Sequence, residues 1–115
     1  AGLFALWAAY ESDVFSGIVC CSGSLWFPDW DHYVRDHMIQ SKCSVYLSLG
    51  GKEEKTKNKV MAAVGDRTRA QERLLQEDSM VESVVLEWNA GGHFADAGKR
   101  LAKGVKWMFG VKSGL

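Results

Sequence analysis

Alternation constrains this chain more than any other feature. Three short apolar runs, Gly17–Cys21, Cys43–Leu49 and Ser83–Trp88, are separated by longer segments with helical spacing. Gly17–Cys21 is rich in Val, Ile and Cys and is bounded by Ser16-Gly17 and Ser22-Gly23-Ser24. That is the pattern of a strand buried on both faces. Cys43–Leu49 alternates in part, with Val45, Leu47 and Leu49 on one face, and Gly50-Gly51 ends it. Strands that alternate with helices predict an α/β fold, a parallel sheet flanked by helices.

The intervening segments read as helices. Leu3–Tyr10 is dense in Ala and Leu and apolar all round, which predicts a helix covered on most sides. Pro28-Asp29 opens a short helix over Trp30–Gln40, with Asp29 as its cap. Asn58–Glu77 reads as one long helix burying Val60, Met61, Val64, Leu74 and Leu75. The last helix is expected over about Asp96–Phe109, with Leu101, Val105, Met108 and Phe109 on one face and Gly110 as its stop. Trp7, Trp30, Trp88 and Trp107 are expected to pack between helices and sheet.

Composition bounds the function. At 115 residues and 47% hydrophobic content the chain holds one domain or part of one. Fourteen basic residues balance fourteen acidic ones, interleaved along the chain, so no nucleic-acid surface is expected. No stretch approaches the ~20 apolar residues of a membrane span. Cys20, Cys21 and Cys43 form no CxxC pair. They read as small buried hydrophobes in a reducing, cytoplasmic setting, with no metal site or cofactor implied.

One constellation carries chemistry. Trp88-Asn89-Ala90-Gly91-Gly92-His93-Phe94 places His93 on a glycine-lined turn between a strand and a helix. A histidine there can reach solvent and still be held firmly, as a general base must be. His32 and His37 lie on a polar short helix and read as solvated. The loop Lys52-Glu53-Glu54-Lys55 supplies carboxylates after the second strand, although such a charge run is often only a solvated face. Asp96 reads as the cap of the last helix and Ser24 as a structural turn residue.

Four strings in order resemble α/β-hydrolase esterases of the enterochelin-esterase-like branch. Ala1-Gly2-Leu3-Phe4-Ala5-Leu6 looks like the segment just after a Gly-x-Ser-x-Gly nucleophile elbow, with Ala1 in the pentad's last position. Ser22-Gly23-Ser24-Leu25-Trp26-Phe27 is similar to that branch's Ser-x-Ser-Leu-Trp-Trp stretch. Tyr46-Leu47-Ser48-Leu49-Gly50-Gly51-Lys52-Glu53 resembles its strand followed by Gly-x-x-Glu. Asn89-Ala90-Gly91-Gly92-His93-Phe94 resembles its closing Gly-x-His-x motif.

The resemblance implies that residues 1–115 form the C-terminal part of a single α/β-hydrolase domain, with the nucleophilic serine upstream of Ala1. The family order of nucleophile, acid and histidine makes His93 the general base and Glu53, or alternatively Glu54, the orienting acid. Trp26 and Phe27, after the first strand, would line the acyl or alcohol pocket. The complete protein would hydrolyse a small-molecule carboxylic ester through an acyl-serine intermediate, without cofactor or metal. This stretch alone is expected to be inactive, and to pair with itself or with its missing N-terminal part. Two alternatives stay open: a non-enzymatic α/β interaction module, and an acyltransferase on the same scaffold.

Overall fold

A computed structural model describes residues 2–89 and 97–112. The chain runs through α1 (Gly2–Glu11), β1 (Gly17–Cys21), α2 (Trp30–Asp36), β2 (Cys43–Gly50), a 3-10 turn (Glu53–Lys55), α3 (Lys59–Ala62), α4 (Val64–Glu77), β3 (Val81–Asn89) and α5 (Ala97–Lys112). The strands form one parallel sheet in the order β1-β2-β3. The α/β architecture expected from the alternation is present.

The sheet is flanked by helices on both sides. On one side α1 packs on β1 and α4 on β3. Between them lies a core of Leu6, Ile18, Cys20, Val45, Leu47 and Leu75, extended by Val84 and Leu86. On the other side α5 crosses β1 and β2. Val19 and Tyr46 are partners in the β1–β2 register, and both lie against Gly104 of α5. A Cβ at Gly104 would fall 2.5 Å from Val19 Cγ1, so the glycine sets how closely this helix approaches the sheet. β2, the middle strand, is buried along its whole length, which explains why its alternation is only partial.

The α1–α2–α4 layer is tied by a buried polar chain. Trp30 Nε1 donates to Gln71 Oε1 at 2.9 Å, and Gln71 Nε2 donates to the Tyr10 hydroxyl at 2.8 Å. An indole N–H can only donate, so Trp30 fixes which way the Gln71 amide points. Burial pushes the Tyr10 phenol up to about 12.

Several expectations need correction. α2 stops at Asp36 rather than Gln40, because His37 turns extended (φ −127°, ψ 156°). Its ring stacks on Tyr33, and its Nδ1 lies 2.7 Å from the Tyr33 carbonyl oxygen. Asp29 occupies the N-cap position at φ 65°, but its side chain makes no capping hydrogen bond. The long helix expected over Asn58–Glu77 is divided at Ala63. Asn58 does cap α3, accepting from the N–H groups of Val60 and Met61. Val60 and Met61 are exposed, while Val64 and Leu75 are buried.

Gly110 lies inside α5 rather than ending it. The stripe of Leu101, Val105 and Phe109 faces outward, with Phe109 72% exposed. The face of α5 turned to the sheet carries Arg100 and Gly104 instead, with the Trp107 ring 5.8 Å from that of Tyr46. Trp30 is buried as expected, but Trp7 and Trp88 are exposed, and so is Phe4 of α1. The Arg69 guanidinium covers the Trp88 ring, 4.6 Å from its centroid. No helix among the described residues is long and apolar enough to cross a membrane.

Candidate functional site

The strands run parallel, so their carboxyl ends gather on one side, where open parallel sheets bind ligands. Three chain segments meet there. The first is Ser22, directly after β1, at φ 53° in the left-handed region. Its N–H donates to Ser48 O at 2.7 Å, which extends the pairing with β2 by one residue. The second is the turn Gly50–Lys55, which carries Glu53. The third is Arg100, at the end of the first turn of α5.

Glu53 is the hub. Its Oε2 accepts from the Ser22 hydroxyl at 2.7 Å and from the Gly50 N–H at 2.6 Å. The same oxygen lies 3.5 Å from Nη1 of Arg100. The Glu53 side chain is 7% exposed and that of Arg100 2% exposed. Arg100 Nη1 also donates to the Ser22 hydroxyl at 2.7 Å. Arginine offers only donors and a carboxylate only acceptors, so the Ser22 proton must point at Glu53. Two charges buried this deeply are tolerated because each neutralises the other and both hydrogen-bond to the Ser22 hydroxyl between them.

Glu54 goes elsewhere. It pairs with Arg69 of α4 at 3.2 Å. Its carboxylate packs against Gly65, where a Cβ would fall 1.7 Å from Glu54 Oε2. Of the two adjacent glutamates, only Glu53 turns toward the strand ends. A neighbouring pair in a charge run thus divides between a buried network and a partly exposed helix contact.

The third strand ends beside the same turn. Gly51 N donates to Asn89 O at 2.7 Å, and Asn89 Nδ2 donates to Ser48 Oγ at 2.8 Å. His93 lies outside the described residues, as does Asp96. The segment that carries His93 is nevertheless bracketed by described neighbours. Asn89 before it is bonded to Gly51, and Arg100 shortly after it pairs with Glu53.

Trp26 and Phe27 lie on the turn after β1, at the same end of the sheet. The turn is closed by Leu25 N donating to Gly23 O and Phe27 N to Ser24 O. Leu25 anchors it in the core, Trp26 is half-buried and Phe27 is 55% exposed. Cys20 and Cys21 sit beneath. Burial pushes the Cys20 thiol up to about 12, so it is not a nucleophile near neutral pH. Cys21 is also raised, by burial, against the opposing pull of Arg100. None of the three cysteines forms a disulfide. Among the described residues no group of His, Cys, Asp or Glu could hold a metal ion.

Sequence reasoning did not single out Ser22 or Arg100. Arg100 carried a signal, being followed at helical spacing by Gly104 and Trp107. A face containing an arginine and a glycine does not register as apolar, so the pattern points instead to Leu101, Val105, Met108 and Phe109, of which Met108 packs on the sheet, against Gly17, and the other three are exposed. No protein-family model, curated protein or solved structure matches this chain.

Proposed function

We propose that this chain is the C-terminal part of an α/β-hydrolase domain, and that the complete protein is a serine-dependent carboxylic ester hydrolase. His93 acts as general base and Glu53 as the acid that orients it. The observation that carries this reading is the anchoring of both flanks of the 90–96 segment to the Glu53 turn, through the Gly51–Asn89 hydrogen bond and the Arg100–Glu53 pair. Four residues of chain reach at most ~14 Å, and this reading requires His93 to use that reach to meet the Glu53 turn.

In this reading Glu53 fixes the tautomer of His93 and stabilises the imidazolium formed as the serine attacks. His93 takes the serine proton and returns it to the leaving alcohol. Water, deprotonated by the same imidazole, then releases the acid from the acyl-serine. The serine and the oxyanion-hole amides belong to the part of the domain preceding Ala1. Trp26 and Phe27 supply apolar surface for the acyl or alcohol group, beside the first strand's end.

The test is covalent labelling of the full-length protein with a fluorophosphonate, followed by peptide mapping. The reading expects one adduct, on a serine upstream of Gly2 within a Gly-x-Ser-x sequence. Absence of any serine adduct in folded protein would contradict it.

A further inference from the structure

We propose that Arg100 and Ser22 are positioning residues for the acid, acting as a clamp that holds the Glu53 carboxylate in one orientation. The proposal rests on the esterase reading and adds two residues to it. Three contacts fall on a single oxygen of Glu53: Ser22 Oγ at 2.7 Å, Gly50 N at 2.6 Å and Arg100 Nη1 at 3.5 Å. A carboxylate bound through one oxygen by three groups from three segments cannot rotate without breaking all of them. The other oxygen is thereby aimed, and aim is what an orienting acid needs.

The choice of cation fits this role. A guanidinium does not lose its proton in a protein, so its charge stays beside Glu53 at every working pH. Lysine in the same buried place could shed its proton. Arg100 is also well placed mechanically. It rises from α5, which Gly104 seats tightly on Val19 and Tyr46. Ser22 completes the clamp as a relay, accepting from Arg100 and donating to Glu53. Its φ of 53° is an uncommon conformation for serine, kept where the hydroxyl bridges the two charges.

Arg100 and Ser22 touch Glu53, not the ester, so they act through it. Their loss should lower kcat and leave KM almost unchanged. In the full-length protein, with a p-nitrophenyl ester, Arg100→Met should reduce kcat by about 10- to 100-fold, the range for misaligned catalytic groups. Arg100→Lys should recover part of that loss, and added guanidinium ion should recover part of it in Arg100→Ala. Ser22→Gly provides the variant that keeps the fold, because glycine suits the positive φ while deleting the hydroxyl. It should lower kcat in the same sense with an unchanged circular dichroism spectrum. Wild-type kcat in both Arg100→Met and Ser22→Gly, with hydrolysis still dependent on His93, would overturn the clamp and leave the esterase reading intact. Hydrolysis that does not depend on His93 would overturn both.

Discussion

Glu53 and Arg100 form an ion pair at 3.5 Å in which both side chains are almost completely buried. The partners come from the turn after β2 and from α5, so the pair fastens the sheet's carboxyl end to the helix on its second face. Removing one member of a buried pair strands the other charge, at a cost of about 3–5 kcal/mol. Glu53→Gln should therefore lower the urea unfolding free energy by that order. Glu54→Gln removes a partly exposed bridge to Arg69 and should cost under ~1 kcal/mol. Equal costs for the two variants would mean that the glutamates are not divided as described.

Glycine on α5 should show opposite signs at two positions. At Gly104 an added Cβ meets Val19 Cγ1 at 2.5 Å and Tyr46 Cδ1 at 2.9 Å, both in packed surroundings. Gly104→Ala should destabilise by about 1–3 kcal/mol through overpacking. At Gly110, outside its own helix backbone, no atom of the described residues lies within 4 Å of the added atom. Gly110→Ala should stabilise by about 0.5–1 kcal/mol, because alanine loses less entropy in a helix. Thermal unfolding of the two variants reads both signs together.

The Trp30–Gln71–Tyr10 chain is a structural unit away from the proposed chemistry. Gln71→Leu leaves the Trp30 N–H and the Tyr10 hydroxyl without this partner in a buried layer. The expected loss is about 1–3 kcal/mol. Tryptophan fluorescence during denaturation measures it, and ester hydrolysis at a temperature where the variant is folded should match wild type.

Acid stability should report on Glu87. The Tyr46 hydroxyl at 2.7 Å and the Lys103 ammonium at 3.0 Å hold its carboxyl below the usual carboxylate range. A depressed folded-state value means that the contribution is present above the unfolded value of about 4.3 and is lost as pH falls through the folded one. The stability gap between wild type and Glu87→Gln should therefore narrow as the pH drops from about 5 to about 3. The side chain is 38% exposed, so solvent screening keeps the effect small. A gap that stays constant with pH would exclude this linkage.

The strands were legible in the sequence because buried parallel strands are short apolar runs with clear Ser and Gly boundaries. β3 extends beyond the expected Ser83–Trp88 at both ends, to Val81 and Asn89, through residues outside the apolar run. The helix faces were less legible. On α5 the sheet-facing side holds Arg100 and Gly104, chosen for an ion pair and a close approach rather than for hydrophobicity. The more apolar stripe of Leu101, Val105 and Phe109 faces outward, with Val105 and Phe109 beside Val19 of the edge strand β1. Glu53 could not be separated from Glu54 by spacing, because two adjacent loop residues differ only in where the fold turns them. Ser22 was visible as a turn residue, but its hydroxyl bridge depends on Arg100, far away in sequence.

The role proposed for His93 is tested by kcat/KM of the full-length protein for a short-chain p-nitrophenyl ester, wild type against His93→Ala, under conditions where both are folded. Hydrolysis by wild type is expected, with a loss of ~100-fold or more in the variant, the scale of a removed general base. Comparable rates for the two proteins, or no hydrolysis by either, would contradict it.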